Sequence, residues 1–285
     1  AEYLLSALAV LFSDSYSFIC ENPCDTHFYR TLASYHINTD IMPINLESFD
    51  INALYASNCD ILFIDPDARF PRNSPLSEQE RKAIIDWANG SDKRYIIENC
   101  CESEIIYESY PSLYSMNSSK VIYLGSFSRS FCPAFKTSYM ILPPELLSMW
   151  KRGHAYYYAL TPKIEQFALA EFLNKGYFTK HYKAMRRIYK EKRELLKECL
   201  TYAFGDRIIL QDCHGSTYIT AEIQGLPANE IKQLARQSGV KLFSMNSFNV
   251  SPKNTIKNDK LVIGIGDLSR EKIKLGVQLI HRSII

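Results

Sequence analysis

Short apolar runs alternate with amphipathic stretches through the first half of the chain. The runs Ser17–Glu21, Asp60–Asp65, Arg94–Glu98, Lys120–Gly125 and Ser138–Leu142 are rich in Ile, Leu, Val and aromatic residues. They are too short for helices and predict strands. Leu76–Trp87, between the second and third runs, has helical spacing. Ser77 stands at its N-cap, and Glu80, three positions on, completes a capping box. Pro143 and Pro144 end the last run and open another helix. This alternation predicts a mostly parallel sheet. The apolar opening, Ala1–Phe12, has no basic segment before it and carries Glu2, so it reads as an amphipathic helix rather than a signal peptide.

The second half has a different rhythm. Helical spacing runs from about Thr161 to Phe204, interrupted near Gly176. Its later part, Lys180–Lys197, carries a dense basic face. That face is open to two readings, a contact with DNA or a solvated helix surface with Tyr182, Met185, Tyr189 and Leu196 turned inward. The second is the ordinary state of a long surface helix. Strand-like Arg207–Gln211 and Ser216–Glu222 follow, then a helix over Pro227–Ser238, strand-like Lys241–Ser244 and Leu261–Ile265, and a closing helix from Ser269 to about His281. The polar loop Asn246–Asn258, with Pro252, is expected to be mobile. The pattern divides the chain into a large α/β unit, residues 1–175, and a smaller α+β unit, residues 176–285.

Composition narrows the functional classes. A formal net charge of +2 over 285 residues gives no overall attraction to nucleic acid or membrane. No apolar run approaches the ~20 residues that span a bilayer. The cysteines (Cys20, Cys24, Cys59, Cys100, Cys101, Cys132, Cys199 and Cys213) lack Cys-x-x-Cys spacing, and the histidines do not cluster with them. Neither a zinc site nor a secreted disulfide framework is expected, and reduced thiols in a cytoplasm are. His214 and the other histidines read as surface or core residues, because no Ser-His-Asp or Cys-His arrangement is visible.

One segment carries a specific resemblance. Val121–Pro144, containing Ser126-Phe-Ser-Arg-Ser130, resembles the cofactor-lysine segment of fold-type-I aminotransferases. It is most similar to the aminotransferase-like domain of MocR-type regulators of the GntR family. There the pattern is Ser/Thr-Phe-Ser-Lys-Ser, and the lysine forms a Schiff base with pyridoxal phosphate (PLP). In this chain the lysine is replaced by Arg129. A Schiff base needs a neutral amine, and a guanidinium with a pKa above ~12 is neutral in roughly one molecule in 10⁵ or fewer at neutral pH.

Three further segments extend the resemblance over essentially the whole chain: Asp65-Pro-Asp-Ala-Arg-Phe-Pro71, Ile96-Ile-Glu-Asn-Cys-Cys-Glu-Ser-Glu104 and Gly176–Tyr189. It implies a three-layer α/β/α large domain, N-terminally truncated, a smaller C-terminal domain and a homodimer. It also implies that the true N-terminus lies upstream of Ala1. At the positions where the family holds PLP, this chain departs from the pattern. Asn99 replaces the aspartate that pairs with the pyridine nitrogen, and Cys101 the tyrosine on the ring hydroxyl. Asp25, in Glu21-Asn-Pro-Cys-Asp25, replaces the tyrosine that stacks on the ring. The family histidine falls near Ala68 or Arg69, and the phosphate arginine is Lys136, which keeps the charge and loses the bidentate fork.

Ser126 and Ser128 remain as hydroxyl donors, either to a ligand or to backbone groups at a strand end. Arg129 is read as a structural ion-pair partner of Asp25 or Glu98, or as part of an anion-binding set with Lys136 and the two serines. No catalytic residue, metal or covalent cofactor is expected; PLP, if held at all, would be held non-covalently. The leading functional expectation is an inactive effector-binding and dimerisation domain of a MocR-like regulator, with DNA contacted only through an upstream winged-helix domain. The alternatives are an inactive subunit pairing with an active aminotransferase, or an active PLP-dependent class I/II aminotransferase using another lysine. Lys136 is the only one nearby.

Overall fold

The apolar runs of the first half become the strands of one sheet. The computed structural model describes residues 2–12, 15–45, 47–101, 110–132, 134–153, 161–211, 217–251, 256–257 and 259–284. Its first sheet contains β1 (Phe18–Cys20), β2 (Thr39–Ile41), β3 (Ile61–Ile64), β4 (Tyr95–Asn99), β5 (Val121–Ser126) and β6 (Ser138–Ile141), in the order β2-β1-β3-β4-β5-β6. The first five strands are parallel and β6 runs antiparallel to β5. The mostly parallel sheet is as expected. β2 was not anticipated: Thr39-Asp-Ile has no apolar run, and this edge strand is defined by its pairing with β1.

Helices cover both faces of the sheet. They are α1 (Glu2–Phe12), α2 (Thr26–Ser34), α3 (Ile51–Ala56), α4 (Glu78–Asn89), α5 (Leu113–Met116), α6 (Phe127–Ser130) and α7 (Pro144–Gly153). Alternation along the strands shows why this gives three layers. Ile61, Phe63 and Ile97 point into one core with Leu8 and Phe12 of α1 and Phe28 of α2. Leu62, Ile64 and Ile96 point into another with Ile84 and Trp87 of α4. The expected capping box opens α4: Ser77 Oγ accepts from Glu80 N at 3.3 Å, and Glu80 Oε2 accepts from Ser77 N at 2.7 Å.

α8 (Lys163–Asn174) gives way at Gly176, where φ is +73°, to the 28-residue α9 (Tyr177–Phe204). The left-handed φ suits glycine and breaks the helix where expected. On α9, Tyr189 and Leu196 are buried and Tyr182 and Met185 half-buried, while Lys180, Lys183, Arg187 and Lys190 face outward. The second sheet comprises β7 (Ile208–Gln211), β8 (Tyr218–Ile223), β9 (Phe243–Ser244) and β10 (Leu261–Gly264). It is antiparallel throughout, in the order β7-β8-β10-β9. α9, α10 (Ala228–Gln237) and α11 (Arg270–Ile284) pack on it through Leu196, Leu200, Ile231, Ile273 and Val277 against Ile219 and Ile263.

The described part of the loop expected to be mobile is anchored. Residues 245–248 form a short 3-10 turn, and the Phe248 ring meets Phe70 edge-to-face at 4.7 Å. Cys213, His214, Gly215, Ser216, Pro252 and residues 102–104 lie outside the described residues. Among the described residues, no helix is long and apolar enough to cross a membrane, and no group of His, Cys, Asp and Glu side chains is arranged to hold a metal.

Candidate functional site

The carboxyl ends of parallel strands leave a crevice in α/β sheets, the usual place for a ligand in such folds. Here a cavity of about 310 Å³ opens at that edge. Each neighbouring strand of the sheet contributes to the wall. Glu21, Cys24, Asp25 and His27 follow β1; Asp65, Arg69 and Phe70 follow β3; Asn99 ends β4; Arg129 lies on α6 just past β5. Phe248 closes the wall from the second sheet's side.

Local chemistry sets these positions. Asp25 is the N-cap of α2, its carboxylate accepting from His27 N at 2.9 Å. Asp65 Oδ1 accepts from Ala68 N at 3.2 Å, and Arg69 N donates to Asp65 O at 2.9 Å, closing the turn in which Arg69 takes φ +45°. A buried ion cluster forms behind this turn. Arg69 donates to Glu21 from Nε at 3.2 Å to each oxygen and from Nη2 at 2.6 Å; Arg72 Nη1 donates to the same carboxylate. Arg69 Nη2 also donates to Ser48 O at 3.0 Å and Arg72 Nη2 to Asn22 O at 2.7 Å, while Arg72 Nε is buried without a hydrogen-bond partner. Burial lowers the Arg72 pKa, against the pull of Glu21.

Of the residues singled out in the sequence, Asp25, Asn99 and Arg129 come together on the wall. Ala68 is buried in the neighbouring turn, and its neighbour Arg69 lines the cavity. Cys101 is half-buried beyond β4, and Lys136 is not on the wall. Neither serine hydroxyl lines the cavity: Ser126 Oγ accepts from Ser128 N at 3.2 Å, and Ser128 Oγ donates to Phe135 O at 3.1 Å. Arg129 reaches across the cavity's edge, with Nη1 3.5 Å from where a Cβ on Gly266 would stand. Glu98 is fully buried and turns both oxygens to the start of α5, accepting from Leu113 N and Tyr114 N at 2.8 Å each. Burial raises its pKa and those two bonds oppose the rise.

The Glu21–Arg69–Arg72 cluster and the contribution of Phe248 were not anticipated. The cluster's partners are 48 and 51 residues apart, and no local pattern joins them.

Comparison with known proteins places the fold in a class. With LysN, an α-aminoadipate aminotransferase from Thermus thermophilus, the chain superposes at a TM-score of 0.84 and 21% identity, over 99% of this chain and 75% of that one. The fold is that of the PLP fold-type-I aminotransferases. The chain's relatives by sequence include MocR/GntR-type regulators and also aminotransferases. The HTH-type regulator YhdI of Bacillus subtilis is 29% identical over 261 residues, 88% of this chain and 54% of its own length. The probable rhizopine catabolism regulatory protein MocR of Rhizobium meliloti is 22% identical over 202 residues, 69% and 40% of the two chains. The chain thus spans about half the length of the curated relatives it matches. No protein-family model matches it.

Proposed function

We propose that this chain is a catalytically inactive, PLP-independent aminotransferase-like domain, the effector-binding and dimerisation part of a cytoplasmic MocR/GntR-type regulator. Residues 1–175 form its large domain and 176–285 its small one. The observation that carries the reading is Arg129, a permanent guanidinium on the cavity wall where the resemblance calls for a Schiff-base lysine. The other wall residues do not fit PLP either. Asp25, Asp65 and Glu21 bring three carboxylates to the wall, Arg69 is committed to Glu21, and the hydroxyls of Ser126 and Ser128 serve backbone groups. A phosphate dianion at this wall would meet three carboxylates alongside Arg129 and His27. No catalytic step through the cofactor follows from such a site.

The effector role rests on the cavity's position between the two sheets, with Arg129 beside Gly266 and Phe70 against Phe248. A molecule that binds one arrangement of the two halves better than another shifts their equilibrium. Dimerisation is supported by the outer face of α8, where Ile164 and Phe167 are 82% and 74% exposed. DNA contact belongs, in this reading, to a winged-helix domain of the whole protein and not to these residues.

The test is a visible-absorbance titration of the purified protein with PLP, followed by borohydride and intact mass. The expected result is no aldimine band and no added pyridoxyl mass. A reducible adduct that disappears when one lysine is replaced overturns the proposal and restores an aminotransferase.

A further inference from the structure

Cys20 and Cys24 lie on either side of Asn22 and Pro23, and their sulfurs approach to 4.0 Å. Both are unbridged thiols. They differ in access. Cys20, at the end of β1, is fully buried, whereas Cys24 is 6% exposed and is the one thiol on the cavity wall among the described residues. The loop that carries them is fastened to the far side of the cavity. Asn22 Nδ2 donates to Asn249 Oδ1 at 2.9 Å, Val250 N donates to Asn22 Oδ1 at 3.1 Å, and Cys24 N donates to Phe248 O at 3.2 Å.

We propose that Cys20 and Cys24 form a redox-active dithiol, a modification site that is oxidised to a disulfide by small disulfides entering through the cavity. Cys24 is the attacking group. Its sulfur bonds to one sulfur of the small disulfide, the S–S bond of that molecule breaks, and the proton of Cys24 leaves with the first released thiol. Cys20 then attacks the Cys24 sulfur, and the second small thiol departs with the Cys20 proton. Two protein thiols are oxidised by two electrons and one small disulfide becomes two thiols.

The division of labour follows from the surroundings. Full burial keeps Cys20 from the small disulfide while Cys24 faces the cavity, and the contact with Cys24, together with burial, raises the Cys20 pKa. Closing the bond draws the sulfurs from 4.0 Å to ~2.0 Å. The loop that must yield is the one tied to residues 248–250, so oxidation pulls directly on the cavity's seam. This inference stands on the thiol geometry and holds whether or not the cavity senses an effector.

Both cysteines fall in one tryptic peptide, the one that ends at Arg30, and residues 1–30 contain no other cysteine. The reduced protein is treated with hydroxyethyl disulfide, alkylated after unfolding and digested. The expected result is loss of both alkylations from that peptide with a mass lower by two hydrogens and no retained hydroxyethylthiol. Cys20→Ser is expected to trap one hydroxyethylthiol on Cys24, and Cys24→Ser to leave Cys20 fully alkylated. Far-UV circular dichroism checks that each variant is folded. Wild-type protein that retains the adduct, or that keeps both alkylations on the peptide ending at Arg30, overturns the proposal, as does a folded Cys20→Ser protein with no adduct.

Discussion

Replacing Glu21 with alanine is the sharpest test of how this cavity is held. One carboxylate stands between two guanidinium groups whose residues are each 2% exposed. Without it, Arg69 keeps only its bond to Ser48 O and Arg72 only its bond to Asn22 O among those described above. Two like charges then face each other in a site with little exposure to water. Breaking a buried pair in this way costs about 3–5 kcal/mol, because the charge left behind is uncompensated. That is a large part of the ~5–15 kcal/mol that holds a typical protein folded. With a urea slope of about 3 kcal/mol/M, the unfolding midpoint should fall by roughly 1–1.7 M. Urea titration followed by circular dichroism, and by fluorescence of the buried Trp87, reads this directly. Replacing all three charges together, Glu21→Leu with Arg69→Met and Arg72→Leu, should recover much of the loss, since apolar side chains of similar volume leave no charge behind. A midpoint for Glu21→Ala within about 0.2 M of wild type would refute the reasoning, for it would mean that water already reaches the cluster.

Three further outcomes are expected. Gly125→Ala should destabilise the protein by about 1–3 kcal/mol in the same titration, because a Cβ there collides with the Tyr139 ring lying across it; Tyr139→Ala in that background should remove the clash. Ser77→Ala should cost about 1 kcal/mol by removing the cap of α4, and Glu80→Ala in the Ser77→Ala protein should add less than it does alone, since the two share one capping box. The Cys59 thiol is pushed up to about 11, mainly by burial and then by Asp40, so its contribution to stability should be intact below its ordinary 9.0 and be lost as pH rises through about 11. Alkylation at Cys59, read by peptide mass across that window, should accelerate only near the upper end.

Elements built from local rules were legible in the chain, and arrangements built from distant partners were not. The strands through Ile61–Ile64 and Tyr95–Asn99 declare themselves because parallel strands covered on both faces are continuous apolar runs. Ser77 and Glu80 announced their helix because a capping box lies within three residues. β2 escaped because three edge residues, half-buried or exposed, carry no periodic signal. At the site, the Ser-Phe-Ser-Arg-Ser motif singled out Arg129, which does line the cavity. The motif could not say that Ser128 would turn to the backbone, because that depends on where Phe135 returns. The ion cluster under the wall and the closure by Phe248 depend on contacts between segments far apart in sequence, for which a single sequence offers no pattern.

α9 has a mechanical consequence. Its 28 residues make a stiff rod about 42 Å long, seated at one end on the aromatic rings of the α6 turn (Phe178 on Phe127 at 5.8 Å) and at the other in the core of the second sheet (Leu200, Phe204). Such a rod is a lever whose pivot lies beside Arg129. A tilt of about 5° at the pivot carries the far end through roughly 3.7 Å.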